Sequence, residues 1–396
     1  MPSGMETKLS RRTLLKATML SGGALLADLH GIAWPITTQS QETDPFAGGR
    51  RLGTVDFINE GPVPLDTPQG SELDGRLYTD LSMLDPRNPI TPTEKFYIRT
   101  RVSEIFPDPT TWQVKVDGLV DRPLNLEVES LKKAAMRMGM HVMECAGNVR
   151  LARFALISAG NWTGVPISEI LDGTKVRPIA TRILISGFDR YAKESKTSVP
   201  GASWIFSLEQ LNAARAFLAT ELNGQPLTKD HGAPVRLVVP GWYGCTCIEW
   251  VNEITLVGEE AEATSQMQEY AARTQQKGVP QLAREYQPAV IEQAAMPIRI
   301  EKWRIAGKIK YRVVGIAWGG SQRVKVLTIR FNPEEDYVPV DNFNQVENDP
   351  WTLWSHAWSP SAPGTYMIRL AVKEPAVQAR RLDSGYYVRT VEIAEV

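Results

Sequence analysis

The stretch HVMECAGNVR, residues 141–150, decides how the chain is read. HVMEC has the apolar, branched character of a short strand that ends at Cys145. Ala146, Gly147 and Asn148 then supply small side chains for a tight turn and a close approach of backbone to a ligand. Arg150 and Arg153 follow, and a nearby cation favours the thiolate, the form that binds metals and attacks electrophiles. A buried structural cysteine is the plain alternative. On these residues alone both readings stand.

The rest of the composition narrows the chemistry. Among 396 residues there are three cysteines (Cys145, Cys245, Cys247) and four histidines, too few for a disulfide framework, a zinc ribbon or a multi-histidine metal site. A metal held here must take most of its ligands from outside the side chains. The formal net charge of -1 gives no electrostatic footprint for nucleic acid. Cys245 and Cys247, read as strand residues, face one side and serve as packing residues.

Working outward, SRRTLLK (10–16) precedes a modest apolar stretch of small residues, the twin-arginine export pattern. Residues 1–33 are therefore expected to be a signal peptide and the mature protein periplasmic. The apolar stretch is too short for a membrane span, and no other candidate is seen. Residues 34–90, rich in Gly, Pro, Asp and Asn, read as an irregular N-terminal arm. From 91 to 260 short strands (FYIRTRV, WQVKVDGLV, HVMEC, RILISGF, VRLVV) mix with helices (VESLKKAAM, VPISEIL, SLEQLNAARAFLA), without a βαβ repeat or GxGxxG. A polar connecting segment fills 261–295. Residues 296–396 alternate as strands separated by turns, which predicts an immunoglobulin-like β-sandwich with Trp303, Trp318, Trp351, Trp354 and Trp358 as packing residues. The fold class expected is α+β.

HVMECAGNVR resembles the molybdenum-binding stretch of the sulfite oxidase family, whose core is Cys-Ala-Gly-Asn with an arginine five residues past the cysteine. GNWTGVPISEIL (160–171), HGAPVRLVVPGWYG (231–244) and the all-β C-terminal region follow in the family's order. The resemblance implies a molybdenum–molybdopterin cofactor in residues 91–260, with Cys145 as the protein's thiolate ligand, which resolves the shortage of ligands. A soft thiolate suits such a centre, and the cofactor carries the difficult chemistry. It further implies that Arg99, Arg150, Trp162, Tyr270 and Arg381 line an oxyanion pocket. Guanidinium groups, planar and permanently charged, are the donors such an anion needs. Arg99, Thr100, Arg101, Cys145, Asp189, His231, Arg236, Cys247 and Glu249 would contact the cofactor.

Two positions depart from the family. Thr100-Arg101 stand where asparagine and histidine are usual, and Glu249 stands where lysine is common. An acid beside a phosphate is unfavourable unless it turns away or pairs with Arg101 or Arg236. The expected reaction is oxidation of sulfite to sulfate by oxygen-atom transfer. Sulfane-sulfur dehydrogenation and S- or N-oxide reduction are alternatives on the same site. No CxxCH and no cytochrome-b5-like region is found, so no haem is expected in this chain and electrons would leave to a separate c-type cytochrome. The C-terminal domain would form a homodimer. From another class, a metal-free exported binding protein or a Cys145 nucleophile remains. His141 is the nearest candidate base for such a nucleophile, but four residues along a strand is too far for direct proton transfer.

Overall fold

In the computed structural model the described residues are 44–85, 88–100, 108–188, 202–345 and 351–396. The signal-peptide region, Arg101 and Asp189 lie outside them. Residues 46–396 form one compact unit built around two hydrophobic cores.

The first core lies between two five-stranded sheets. One runs Ser203–Ser207, Arg182–Gly187, Val251–Val257, Gln113–Gly118, Leu124–Glu127, with Val251–Val257 parallel to Gln113–Gly118. The other carries Met136–Glu144 at its edge beside Ile157–Pro166 and Phe217–Leu222. Short helices Val128–Ala134, Ile167–Asp172 and Leu208–Ala213 fill the connections. Ser207 caps the last of these through a capping box with Gln210, which satisfies two of the amides that a helix start leaves unpaired.

The second core lies between the sheets of the sandwich. Arg50–Val55, Ala294–Ile305, Lys308–Trp318 and Trp351–Trp358 form one sheet. Val338–Pro339, Leu327–Arg330, Gly364–Val372, Arg389–Ile393 and Phe57–Ile58 form the other. Trp318, Trp351, Trp354 and Trp358 are buried there, while Trp303 is half-buried. Gly315 is required opposite Trp354, since a Cβ would lie 2.1 Å from the indole. The fold is α+β, with mixed sheets and small helices followed by an all-β sandwich.

Three readings of the sequence need correcting. Part of the segment read as an irregular arm is strand. Arg50–Val55 pairs with Ala294–Ile305, and Phe57–Ile58 pairs with Arg389–Ile393. Partners so distant in sequence leave no local pattern to read. The helix read over SLEQLNAARAFLA stops at Ala213; Arg215 takes φ 52° and the buried run Phe217–Leu222 becomes a central strand. A fully buried strand has no period, so an apolar run does not tell strand from helix. Finally, Gly244–Thr246 is a 3-10 turn, so Cys245 and Cys247 are not paired along one strand face. Both still pack into the apolar cores.

Candidate active site

Cys145 follows the strand Met136–Glu144 directly, and its amide bonds the Leu156 carbonyl at 2.9 Å. Here the chain passes from one core to the other, since Cys145 packs in the first and Ala146 in the second. The turn closes through the Asn148 amide on the Cys145 carbonyl at 2.9 Å, and Asn148 Oδ1 accepts the Leu156 amide at 3.1 Å. Sγ of Cys145 accepts from the Gly147 amide at 3.4 Å and from Arg99 Nη1 at 3.7 Å. Both contacts aim donors at the sulfur.

Arg99 arrives on the two-residue strand Ile98–Arg99, paired with Asp74–Leu77, and also donates to the Tyr270 hydroxyl at 3.3 Å. Burial pushes the Tyr270 phenol up to about 12, against the pull of Arg99, so it stays protonated. Beyond Gly147 opens a cleft of about 400 Å³ lined by Arg273, Arg381, Gln275, Ser384 and Tyr386, with no carboxylate among its walls. A Cβ on Gly147 would sit 3.7 Å from Arg99 Nη1, 3.8 Å from Arg273 Nη1 and 3.8 Å from Cys145 Sγ, so two guanidinium groups and the thiol converge there. Arg381 donates to the Ala146 carbonyl at 3.2 Å and the Arg273 carbonyl at 2.7 Å, and lies over the rings of Tyr243 and Tyr386. Its Nη1 is buried without an acceptor among the described residues.

A second group of predicted residues lies together around Trp162. Its ring meets Phe96 edge-on at 5.7 Å, and the Arg236 guanidinium stands 5.9 Å from its centroid. Arg236 donates to the carbonyls of His231 at 3.1 Å and Cys247 at 3.2 Å, and pairs with Glu249 at 3.2 Å. The acid that departs from the family pattern is thus matched by Arg236. His231 is buried with both ring nitrogens engaged, Nδ1 with Thr228 Oγ1 at 2.8 Å and Nε2 with the Phe96 carbonyl at 3.1 Å. Since a carbonyl only accepts, Nε2 carries the proton, and Nδ1 accepts from the threonine. Burial drives the imidazole down to about 4, so it is neutral. Thr100 is buried and bonds Asp230 at 3.2 Å. Arg150 sits on the turn Arg150–Ala152, and its side chain makes no hydrogen bond or ion pair with the other predicted residues that the structure describes.

This donor set fits a molybdenum–pterin group. Among the described residues no three His, Cys, Asp or Glu side chains gather as metal ligands, so a metal at Cys145 needs non-protein ligands. Trp162 Nε1, Arg150 Nε and Arg236 Nε are buried without acceptors, as a group rich in oxygen would require of its surroundings. Sequence reasoning missed Glu144, Arg273, Tyr386 and Tyr387. The first was detectable as a lone carboxylate in an apolar strand; the others belong to no motif.

Burial also pushes the Glu249 carboxyl up to about 7, opposed by Arg236 and reinforced by Asp230. The unfolded chain releases this proton near the ordinary value of 4.5, so between 4.5 and about 7 the folded state binds more protons. Stability must then fall as pH rises through that window. Glu249→Gln is expected to flatten the decline of melting temperature between about pH 5 and 7. Parallel curves for wild type and variant would remove Glu249 as the source.

The family described as "Oxidoreductase molybdopterin binding domain" matches residues 101–265. The mitochondrial sulfite oxidase of Homo sapiens is 24% identical over 330 residues, 78% of this chain and 59% of that protein. The Rattus norvegicus enzyme is 29% identical over 196 residues, 46% of this chain and 35% of that protein. The chain therefore spans between about a third and three fifths of these relatives. A nitrate reductase [NAD(P)H] of Hordeum vulgare is 30% identical over 188 residues, 44% of this chain and 21% of that protein. In fold, the chain matches the sulfane dehydrogenase SoxCD from Paracoccus pantotrophus with a TM-score of 0.62 at 18% identity, covering 91% of this chain and 96% of that one. The matched domain spans the cysteine turn and sulfite oxidases align along most of the chain, which makes residues 101–265 an oxidoreductase molybdopterin-binding domain similar to that of the sulfite oxidases.

Proposed function

We propose that this protein is a periplasmic enzyme, exported by the twin-arginine route, that oxidises sulfite to sulfate and passes the electrons to an external c-type cytochrome. The observation that carries the reading is the convergence of the Cys145 thiol, Arg99 and Arg273 on Gly147 at the floor of a cleft without carboxylates. When bound, a molybdenum–pterin group supplies two-electron oxygen-atom transfer. Cys145 would hold the metal, while Trp162, His231 and Arg236 would shape the pterin's bed.

The chain's own part is to bind and orient the substrate. Sulfite enters beside Arg381 and Arg273, and Arg99 fixes its oxygens toward the thiolate side of the cleft. The protonated Tyr270 hydroxyl, 3.3 Å from Arg99, holds that arginine in place and offers a further donor. Fixed donors aimed at charge that redistributes during reaction lower the barrier without needing to reorganise. Product sulfate leaves by the same cleft. The C-terminal sandwich would mediate a homodimer.

Sulfane dehydrogenation is the second reading, favoured by the fold match along nearly the whole of both chains. The test sets sulfite, thiosulfate and a persulfide-bearing carrier peptide against molybdenum-loaded protein with cytochrome c as acceptor. Cytochrome reduction dependent on sulfite, with sulfate as product, is expected. Reduction by the persulfide alone would replace sulfite oxidation with the second reading, and no reduction by any donor would sink both.

A further inference from the structure

Glu144 stands one residue before Cys145 and is fully buried. Its carboxylate takes three donors from separate parts of the chain. Trp318 Nε1 donates to Oε2 at 2.8 Å, the Tyr387 hydroxyl to Oε1 at 3.2 Å, and Asn148 Nδ2 to Oε1 at 3.3 Å. Trp318 ends the sandwich strand Lys308–Trp318, and Tyr387 leads into Arg389–Ile393. Asn148 belongs to the cysteine turn itself. The same C-terminal stretch grips that turn twice more, through the Tyr386 hydroxyl on the Asn148 carbonyl at 2.8 Å and Arg381 on the Ala146 carbonyl at 3.2 Å. Glu144 and Tyr387 both lie close enough to act electrostatically on the Arg381 guanidinium.

We propose that Glu144 is a positioning residue that locks the cysteine turn to the C-terminal wall and so sets Arg381 over the cleft beside Cys145. This rests on reading that cleft as the substrate site. The carboxylate matters because of how many donors it serves. An indole N–H can only donate, and an amide has a single acceptor oxygen where a carboxylate has two. A glutamine that turned its oxygen to Trp318 would aim its NH₂ at Asn148 Nδ2, donor against donor. Asn148 cannot invert to accept it, because its Oδ1 already receives the Leu156 amide at 3.1 Å. An apolar residue would leave all three donors dry. Glutamine thus keeps the shape and loses either the tie to the turn or the one to Trp318 in the C-terminal wall.

The test is a cycle of Glu144→Gln, Arg381→Met and the double variant on molybdenum-loaded protein. Sulfate affinity is measured by calorimetry, sulfite KM and kcat by cytochrome reduction, and stability by melting temperature. Glu144→Gln is expected to weaken sulfate binding and raise KM about tenfold, the scale of one charged hydrogen bond, with a smaller change in kcat. In the Arg381→Met background the same change should have no further effect, which is the mark of one residue acting through the other. Tyr387→Phe should move KM in the same direction and takes the place of Glu144→Gln if that variant does not fold. Equal factors in both backgrounds would overturn the proposal, as would a lowered melting temperature with sulfate affinity and KM unchanged. A wild-type chain that neither holds molybdenum nor oxidises sulfite overturns the functional reading alone, since the sulfate cycle reads Glu144 and Arg381 without turnover.

Discussion

Cys145→Ser is expected to abolish sulfite oxidation while leaving the fold standing. The thiol is buried, and its two donors, the Gly147 amide and Arg99 Nη1, can serve a serine oxygen in the same place. Serine is smaller by little and keeps an acceptor at the end of the strand, so the melting temperature should move by only a few degrees. The chemistry is another matter. A hydroxyl is harder than a thiolate and does not ionise near neutrality, so a soft metal centre would lose the protein ligand proposed for it. Disturbing merely an outer partner of a metal ligand costs roughly 10- to 100-fold, and removing the ligand itself must exceed that. Metal analysis of the purified variant beside its rate of cytochrome reduction checks the expectation. A serine variant that turns over within tenfold of wild type would remove Cys145 from the metal.

The second large effect lies far from the cleft. Glu60 and Arg389 form a bidentate pair at 2.7 and 2.6 Å, with side chains only 4% and 5% exposed. Arg389 further donates to the Pro297 carbonyl at 3.0 Å and covers the ring of Phe57 at 3.6 Å. Burial pulls the Arg389 pKa down and Glu60 opposes it. Glu60→Ala leaves a guanidinium stranded without its countercharge, and such a loss costs about 3–5 kcal/mol. Urea unfolding should show the loss as a shifted midpoint with an unchanged slope. Replacing the pair together, as Glu60→Leu with Arg389→Met, should recover most of it, because apolar groups of similar volume need no countercharge. A single variant within about 1 kcal/mol of wild type would mean that water reaches the arginine.

Much of this was legible from residue order. HVMECAGNVR forms a strand into a turn because the apolar run stops where the side chains become small. The sandwich strands alternate, and alternation survives wherever one face is buried and the other wet. Cys145, Arg99 and Tyr270, chosen from the family pattern, meet in one hydrogen-bonded group, and Arg381 lines the cleft beyond Gly147. What was not legible depends on partners remote in the chain. Arg50–Val55 shows no pattern of its own, and its register comes from residues 300–304. Arg273 carries no motif, yet it reaches Gly147 because the turn Ala272–Thr274 follows Ser265–Tyr270 directly. Glu144 looks like an oddity in a strand until Trp318 and Tyr387 arrive from the sandwich. Arg236 was expected to contact the cofactor, and the folded chain also turns it to the carbonyls of His231 and Cys247 and to Glu249. The pair with Glu249 was one of the arrangements the sequence left open, and the two carbonyl partners show only in the folded chain.

The pairing of Arg50–Val55 with Ala294–Ile305 also fixes an order of events during synthesis. The first strand leaves the ribosome long before its neighbour exists, and Phe57–Ile58 waits longer still, for Arg389–Ile393. Until then both segments expose unpaired backbone, the state in which growing chains associate wrongly. The sheet that holds Phe57–Ile58 cannot close before Arg389–Ile393 is made, whereas the sheet that holds Arg50–Val55 waits only for Trp351–Trp358. The loop thus stitched shut joins Phe57–Ile58 to Arg389–Ile393, so closure of that sheet is a late step in folding.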